Sequence, residues 1–369
     1  MKLAIILPTL AGGGMERMRV HLMQEWAGQG VDMDLVVSRF QGPLCAMVPD
    51  RVRIHEVAGR HPALFPWGLY RYLRRQRPTH ILSAANDINA MTLFLGRLAC
   101  PEVPVVVSVH NHLSTELAQA RGGRLLKLRI VTRLLKSALL RAKGVVAVSR
   151  GVGDDLARRF PGLKERLHVI YNPVLTPNVR EQLTHPLATT LAPPGIPWII
   201  FVGRFVPAKG LDVLLEAFRQ IVGNTAAHLV LLGEGPLRPK LESMIWEMGL
   251  AGRVHFAGFQ DNPLPWIREA KLLVLPSRHE GLGNVLIEAL ACGTQIVATD
   301  CPSGPAEILE SGKYGQLVPV EDATALTQAM LRSLNGTFRV DPEMLKARAE
   351  DFTVEKAAKQ YMDILLGTI

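Results

Sequence analysis

The sequence lacks closely spaced cysteines and long apolar runs, the features typical of disulfide-rich, zinc-binding and membrane-spanning proteins. Its 369 residues include four cysteines, which lie far apart and form no C-x-x-C pair: Cys45, Cys100, Cys292 and Cys301. This spacing argues against a disulfide framework or a zinc site and fits a reducing compartment. No apolar run approaches the roughly 18 residues that a membrane-spanning helix needs, so we predict no transmembrane segment.

Aromatic residues and acidic charge are also scarce. Aromatic side chains make up 6% of the chain against 48% for all hydrophobic residues, which predicts a soluble globular protein with an aliphatic core. The formal net charge of +9 indicates an anionic partner, and nucleic acid, anionic lipid or a phosphorylated substrate would each satisfy it. The apolar start, MKLAIILPTLAGGG, is better explained by a buried strand and a glycine turn than by a signal peptide.

One stretch in the second half predicts a ligand site. Residues 272–275 form an apolar run that is typical of a buried strand and ends at Pro276. A glycine-rich loop follows, then a helical pattern from Asn284 to Gly293, then the strand 295–299. In a parallel sheet, ligands bind at the carboxyl ends of strands, where helix N-termini point free N–H groups outward.

Two carboxylates frame this turn, Glu280 in the loop and Glu288 in the helix. Glu288 lies about one turn beyond Asn284 and can face the same pocket as the loop backbone. A carboxylate there can accept hydrogen bonds from a pair of sugar hydroxyls. On the residues alone a structural explanation stays open, in which the helix dipole favours Glu288 and Glu280 is a solvated loop residue.

Two other strand–turn–helix patterns favour phosphate binding. Near the N-terminus, the strand 3–7 leads into Gly12-Gly13-Gly14 and an amphipathic helix, and glycine lets the backbone approach an anion closely. Arg17 breaks the G-x-G-x-x-G pattern of dinucleotide enzymes, and a tight turn without a ligand is the structural alternative. In GRFVPAKG, Arg204 and Lys209 flank a second turn, which favours a diphosphate site over a pair of surface cations.

These motifs together resemble family 4 of the retaining glycosyltransferases. The family's Glu-x7-Glu motif is present from Glu280 to Glu288 and is followed by its typical EALACGT, while GGGMER, His110 and GRFVPAKG occur in the expected order. The resemblance implies an α/β GT-B fold, with two Rossmann-like domains facing a central cleft. Composition points the same way, because a segment rich in Pro, Thr and Leu that ends near residue 197 is the best linker candidate and similar α/β patterns lie on both sides of it. We therefore assign 1–180 to an acceptor-binding domain, 181–197 to a linker and 198–350 to a nucleotide-sugar-binding domain. The resemblance implies that 351–369 is a crossover helix that packs on the first domain.

The resemblance also implies roles for individual residues. His110 follows the predicted buried strand 104–109 and would hydrogen-bond the transferred sugar. The structural alternative is a polar residue at the end of a strand, without a role in ligand binding. Asn111 stands where the family often has Asp, which weakens any general-base role at that position. The predicted catalytic residues are His110, Arg204, Lys209 and Glu280. The predicted contacts to the nucleotide sugar are Gly13, Gly14, Gly203, Arg204, Lys209, Gly258, Glu280, Gly281, Leu282, Gly283, Asn284 and Glu288.

Residues 121–143 are the most unusual segment, because they contain eight Lys or Arg and no acidic residue. Helical spacing places Leu128, Val131, Leu135 and Ala138 on one stripe, and Arg129, Arg133 and Lys136 on the opposite one. A solvated basic face, binding to anionic lipid, and binding to the diphosphate of a lipid-linked acceptor are all open. The segment lacks Phe, Tyr and Trp, which argues against nucleic acid. We assign these three cations, together with Glu16, to the acceptor and membrane side.

The predicted reaction is transfer of a hexose or N-acetylhexosamine with retention of anomeric configuration. By resemblance the donor is a UDP-sugar, with UDP-GalNAc or UDP-galactose ahead of UDP-GlcNAc, and the acceptor is an undecaprenyl-diphosphate-linked sugar. The protein would act without a metal or other cofactor, as a peripheral cytoplasmic protein on the inner face of a bacterial membrane. The alternatives are a sugar-nucleotide epimerase of the same fold, and a basic protein that binds membranes or nucleic acid.

Overall fold

The protein is represented by a computed structural model that describes residues 1–59, 61–187, 191 and 195–368, with residues 119, 124 and 127 described by their backbone alone. The chain forms two compact units. The first comprises Met1–Pro173 and Val354–Ile369, and the second comprises Val174–Thr353.

The first unit is built on a seven-stranded sheet in which every pair of neighbouring strands is parallel, with strand order β3-β2-β1-β4-β5-β6-β7. The strands are β1 (Lys2–Ile6), β2 (Asp32–Val37), β3 (Arg53–Glu56), β4 (His80–Ala84), β5 (Val105–Val109), β6 (Gly144–Ala147) and β7 (Leu167–Val169). The helices are α1 (Gly14–Gly28), α2 (Phe65–Gln76), α3 (Asn86–Ala99), α4 (Leu113–Gln119), α5 (Gly122–Leu139), α6 (Arg150–Arg159) and, at the end of the chain, α15 (Val354–Leu366).

The second unit contains a six-stranded parallel sheet of order β10-β9-β8-β11-β12-β13. Its strands are β8 (Trp198–Val202), β9 (His228–Leu232), β10 (Val254–Gly258), β11 (Leu272–Leu275), β12 (Gln295–Thr299) and β13 (Gln316–Val318). Its helices are α7 (Pro177–Gln182), α8 (Leu211–Ile221), α9 (Arg238–Glu247), α10 (Leu264–Glu269), α11 (Asn284–Cys292), α12 (Pro305–Ile308), α13 (Ala323–Leu334) and α14 (Pro342–Ala349).

Both sheets have the 3-2-1-4-5-6 order of a Rossmann fold, and the first adds β7 at one edge. In this order the direction of winding reverses beside the first strand, and ligands bind in the crevice at the carboxyl ends of the strands there. In the second unit the reversal lies between β8 and β11, which pair directly. The loops after these two strands are therefore where a ligand is expected.

Helix α15 packs within the first unit. Its apolar face buries Val354, Ala357, Tyr361 and Ile364 in the same core as the first strands. Trp26 of α1 contacts Tyr361 edge to face, with ring centres 6.4 Å apart, and its indole Nε1 donates to the carbonyl of Ala358 at 3.3 Å. The amphipathic pattern of the last helix thus matches a core that the first half of the chain provides.

The chain passes between the two units at residues 173/174 and 353/354. The first passage comes earlier than the predicted boundary at 180, because α7 and the residues after it attach to the second unit. Arg268 of α10 donates to the carbonyls of Leu183 and His185, and Asn262 donates to the carbonyl of Gln182. Residues 188–190 and 192–194 of the predicted linker lie outside the described part of the chain.

Candidate active site

The turn after β8 requires glycine at position 210. Pro207–Lys209 form a short 3₁₀ turn, and Gly210 caps the next helix with a φ of +62°. A Cβ at this position would lie 2.1 Å from the carbonyl oxygen of Pro276, the residue that follows β11. Glycine both permits the left-handed conformation and lets this turn lie directly against the loop after β11.

The contact between these two loops joins a cation to a carboxylate. Lys209 Nζ lies 2.5 Å from Glu280 Oε1, and only 22% and 9% of the two side chains are exposed. The hydroxyl of buried Ser277 donates to the same oxygen at 2.6 Å. Glu280 Oε2 has no hydrogen-bond partner among the described residues and is free to accept from a ligand.

Arg278 holds the two loops together and was missed by the sequence analysis. Its backbone N–H donates to the carbonyl of Ala208 at 2.8 Å, and its guanidinium donates to the carbonyl of Pro207 at 2.6 Å. The guanidinium also pairs with Glu321 and with Asp212, the latter at 2.8 Å. Hydrogen bonds donated by the guanidinium to these two carboxylates raise the pKa of Arg278 above its ordinary value. These partners are far from Arg278 in sequence, so no local signal marks it.

The loop after β11 leads into the N-terminus of α11, as predicted. Gly283 caps this helix with a φ of +90°, and Asn284 is its first residue. Leu282 is buried, whereas Gly281, Asn284 and Glu288 are partly buried. The first N–H groups of a helix lack intrahelical acceptors and carry the positive end of its dipole. The helix therefore adds a site for anions beside the Lys209–Glu280 pair.

Three glycines line the neighbouring strand ends. Gly203 donates its N–H to Leu232 O at 2.9 Å, and Gly233 donates to Gly258 O at 2.8 Å. A Cβ on Gly233 would lie 2.0 Å from Gly203 O, so this stretch of backbone cannot carry a side chain. Gly203 and Gly258 thus lie on either side of Gly233, at the carboxyl ends of neighbouring strands. The exposed side chain of Arg204 makes no hydrogen bond or ion pair with any described residue.

In the first unit, the predicted glycine turn caps α1. Gly13 is the N-cap residue and Gly14 begins the helix. The carboxylate of Glu16 folds back over the turn, since a Cβ on Gly13 would lie 2.3 Å from Glu16 Oε2. Thr9 donates to the other carboxylate oxygen at 3.2 Å. Glu16 therefore orders the turn that the sequence assigned to ligand binding.

His110 follows β5, and its Nε2 lies 2.9 Å from the hydroxyl of Ser108. Burial, reinforced by the positive charge of Arg19, lowers the pKa of His110 to about 3, so the imidazole is neutral at physiological pH. The amide of Asn111 donates to Glu116 of α4 at 2.8 Å. Asn111 thus serves the local fold.

Comparison with known proteins decides the class. Residues 12–176 match the family model described as Glycosyltransferase Family 4, and residues 196–336 match Glycosyl transferases group 1. The chain is 30% identical over 306 residues to the 2-deoxystreptamine N-acetyl-D-glucosaminyltransferase of Streptomyces fradiae, covering 78% of this chain and 72% of that relative. The chain belongs to glycosyltransferase family 4.

Two further comparisons bear on the fold and on the members of family 4 that this chain resembles. It is 29% identical over 241 residues to the N-acetylgalactosamine-N,N'-diacetylbacillosaminyl-diphospho-undecaprenol 4-alpha-N-acetylgalactosaminyltransferase of Campylobacter jejuni; the match covers 64% of each chain, slightly less than two thirds of that relative. The crystal structure of Anabaena Alr3699/HepE in complex with UDP aligns over the full length of both chains with a TM-score of 0.77 at 18% identity. The GT-B fold and the glycosyltransferase class predicted from the sequence are therefore confirmed.

The basic helix of this family 4 enzyme differs from the expected two-sided pattern. Arg129, Arg133 and Lys136 are exposed, as predicted, and Leu135 is buried. Three other aliphatic residues one turn apart are also exposed, with 62% of Leu126, 52% of Ile130 and 57% of Leu134 accessible. Cations and aliphatic side chains together line a groove of about 430 Å³, formed by Leu126, Arg129, Ile130, Thr132, Arg133 and Arg159. The helix thus carries an outward apolar stripe that the sequence analysis did not assign.

Within the described residues, no three or more His, Cys, Asp or Glu side chains are grouped as metal ligands would be. None of the helices formed by these residues is both long enough and apolar enough to cross a bilayer. The predicted site residues thus fall into three groups. One lies at the carboxyl ends of the strands of the second unit, around β8 and β11. The second lies at the N-terminus of α1 and the carboxyl end of β5 in the first unit, and the third on the exposed face of α5.

Proposed function

We propose that this enzyme transfers a hexose or N-acetylhexosamine from a UDP-sugar to a lipid-diphosphate-linked sugar, with retention of anomeric configuration, in the assembly of a bacterial surface glycan. The observation that carries the proposal is the Lys209–Glu280 contact, which lies where the winding of the second sheet reverses and beside the N-terminus of α11. That position is where parallel α/β sheets bind nucleotides.

The charged groups at the carboxyl ends of β8 and β11 match the parts of a nucleotide sugar. Lys209 and Arg204, whose guanidinium pairs with none of the described residues, neutralise the leaving diphosphate, Lys as a point charge and Arg as a fork. The N-terminus of α11 contributes backbone donors from the segment Gly281–Asn284. Glu280 Oε2 accepts from hydroxyls of the sugar, and Glu288, about one turn into α11, accepts from the ribose.

The chemistry follows from where charge develops. Departure of the diphosphate leaves an oxocarbenium-like sugar and places negative charge on the phosphate oxygens. Preorganised cations and helix dipoles stabilise that charge more in the transition state than in the ground state. Arg204, Lys209 and α11 can do this without a metal ion, and we propose that the reaction requires none. His110, as a neutral imidazole, donates a hydrogen bond to the transferred sugar.

The donor and acceptor assignments draw support from family 4 relatives. The Campylobacter jejuni relative is named as a GalNAc transferase acting on a diphospho-undecaprenol acceptor, and the Anabaena structure holds UDP. The first name supports UDP-GalNAc as donor and an undecaprenyl diphosphate carrier, and the Streptomyces fradiae relative is named for GlcNAc transfer. UDP-galactose rests on the sequence resemblance alone, and we keep UDP-GalNAc or UDP-galactose ahead of UDP-GlcNAc.

Helix α5 supports the membrane side of the proposal. Its exposed cations suit anionic lipid head groups and the acceptor diphosphate, while Leu126, Ile130 and Leu134 suit the acyl boundary. An interfacial helix needs both features, because head-group attraction alone is weakened by salt. We place the enzyme on the cytoplasmic face of the membrane, where UDP-sugars are made.

A donor-panel thermal-shift assay tests this proposal. UDP-GalNAc, UDP-galactose and UDP-GlcNAc are compared with GDP-mannose and ADP-glucose; a ligand at a hundred times its Kd adds about 2.7 kcal/mol of stability. We expect stabilisation by UDP-sugars only, with turnover unchanged by EDTA. Mass spectrometry with and without acceptor then separates transfer from epimerisation. Preferential stabilisation by GDP- or ADP-sugars, or epimerised donor without acceptor, would contradict the proposal.

A further inference from the structure

Arg19 of α1 is a buried cation with no acidic partner in the part of the chain that the structure describes. Only 2% of the residue is exposed. Its Nη2 donates to the hydroxyl of Ser108 and, at 3.2 Å, to the hydroxyl of Tyr361, and its guanidinium carbon lies 4.7 Å from the centre of the Tyr361 ring. Its Nε is buried without a hydrogen-bond partner, and no described carboxylate pairs with it. A buried charge of this kind is costly, which calls for a functional explanation.

The hydroxyl of Ser108 connects this cation to His110. Besides Arg19, Ser108 Oγ contacts His110 Nε2 at 2.9 Å and the carbonyl oxygen of Ser83 at 3.4 Å. The backbone around it is fixed, because Asn89 Nδ2 donates to Ser108 O at 2.7 Å while Asn89 Oδ1 accepts from Ser83 Oγ at 2.7 Å. The position of the hydroxyl relative to the imidazole is therefore set by buried contacts.

The hydrogen bonds made by the Ser108 hydroxyl determine which ring nitrogen of His110 carries the proton. A guanidinium can only donate, so Ser108 Oγ accepts from Arg19 and has a single proton of its own to give. Donation to His110 Nε2 at 2.9 Å forms a much better hydrogen bond than donation to Ser83 O at 3.4 Å. Polarisation by the guanidinium also makes the hydroxyl a stronger donor and a poorer acceptor. His110 Nε2 is thus an acceptor, and the ring proton belongs on Nδ1.

We propose that Arg19 is a positioning residue that acts through Ser108 to hold His110 as a neutral imidazole with its proton on Nδ1. The Nδ1–H, which has no partner among the described residues, is then a fixed donor for an oxygen of the sugar. That ligand assignment rests on the proposed function. In this arrangement His110 cannot act as a general base through Nδ1. The lowered pKa of the imidazole, which burial causes first and the charge of Arg19 second, agrees with this arrangement.

Long-range ¹H–¹⁵N correlation spectra of the full-length free enzyme report the tautomer directly. The His110 signals are assigned by their loss in His110→Asn. We expect the Nδ1–H tautomer in the wild type and in Arg19→Lys, which keeps the charge and a donor. Arg19→Met and Ser108→Ala should lose this preference. Tyr361→Phe, which removes a hydrogen bond to Arg19 that does not lead to His110, should retain it.

Kinetics show whether the tautomer matters for catalysis. With Arg19→Met and Ser108→Ala we expect kcat to fall about tenfold to a hundredfold while the KM for the donor changes little, because a transition-state donor is lost. Arg19→Lys should restore most of kcat.

Several outcomes would overturn the inference. They are an Nε2–H tautomer in the wild type, an unchanged tautomer in Ser108→Ala, or normal kcat in a folded Arg19→Met. If Arg19→Met fails to fold, the wild-type and Ser108→Ala spectra still decide. The spectra need no turnover, so failure of every donor to react would contradict the proposed function and leave the tautomer assignment to stand or fall separately.

Discussion

At the scale of single residues, the Lys209–Glu280 contact is the feature on which the proposed chemistry depends. Glu280→Gln keeps the size of the side chain and removes its charge, so Lys209 loses its carboxylate and the sugar loses a strong acceptor. We expect kcat to fall about a hundredfold, as when one preorganised transition-state contact is deleted. Steady-state transfer kinetics measure the change.

The control for this variant is Glu216→Gln on the outer face of α8. Glu216 pairs with Arg219 one turn away, and both side chains are substantially exposed. Exposed ion pairs contribute little, so kcat should remain within about twofold of the wild type. Equal kcat in the two variants would contradict a role for Glu280 in the reaction.

Gly210 offers a test of how the two loops are held together. Gly210→Ala combines a left-handed φ with a Cβ 2.1 Å from Pro276 O, so we expect the free energy of unfolding to fall by about 2–4 kcal/mol. Gly223→Ala is the matched control, because its Cβ would meet no atom of the described residues within 4 Å. Urea denaturation followed by circular dichroism compares them. Equal stability of the two variants would show that the close approach at Gly210 is not needed.

The residues of the site were predictable where a motif carries them, and not where contacts cross the chain. Gly203, Lys209 and Glu280 follow strands in recognisable turns, so their places in the fold were predictable, while their roles in binding stay predictions. The contact between Lys209 and Glu280 spans 71 residues and depends on which strands are neighbours. Arg278 and Arg19 carry no pattern of their own, since a single Arg in a loop or a helix is usually exposed.

At the scale of elements, α5 combines cations with an exposed aliphatic stripe. Replacing Arg129, Arg133 and Lys136 with Gln should weaken binding to anionic vesicles about a hundredfold at low salt, at about 1 kcal/mol for each cation near the surface. Affinity for the UDP-sugar should stay unchanged. Vesicle co-sedimentation and calorimetry measure the two quantities.

A matched control removes the same charge from the second unit, by replacing exposed Lys240, Lys271 and Arg339 with Gln. This variant should retain vesicle binding. Replacing Leu126, Ile130 and Leu134 with Ser should instead remove the part of binding that persists at high salt. An equal loss of donor affinity in the cation variant, or equal vesicle binding in all three variants, would contradict the assignment of α5.

The sequence predicted the helix itself but only part of its surface. Spacing identified the cations and the buried Leu135, because those features follow from helical periodicity. It could not show that Leu126, Ile130 and Leu134 lie uncovered. Leucine is abundant all around this helix, and which stripe is covered depends on the neighbouring elements.

At the scale of the whole molecule, the chain leaves the first unit and returns to complete it with α15. Ile364 is 2% exposed and lies against β6, where a Cβ on Gly144 would be 2.5 Å from its Cγ2. Ile364→Ala should therefore destabilise the first unit by about 2–4 kcal/mol. Hydrogen exchange with mass spectrometry should show faster exchange in β1, β5 and β6, with the second unit unchanged.

The control for this variant lies two residues further along the same helix. Leu366 is 54% exposed, so Leu366→Ala should leave exchange close to that of the wild type. Faster exchange confined to the second unit in Ile364→Ala would show that α15 serves the other half of the chain.

The two-Rossmann architecture was accessible from the sequence because alternating apolar strands and amphipathic helices repeat on both sides of a change in composition. The point at which the chain changes units was not. Residues 182–185 resemble a linker in composition, but Asn262 and Arg268 fix their backbone to the second unit.

The most direct test of the central claim is the anomeric ¹H signal of the product formed from UDP-GalNAc and an undecaprenyl-diphosphate-linked acceptor. Cations and a helix dipole that stabilise a departing diphosphate, in a retaining enzyme, predict release of UDP and an α-linked product from the α-linked donor. A β-linked product, or UDP-sugars that remain intact beside a competent acceptor, would contradict it.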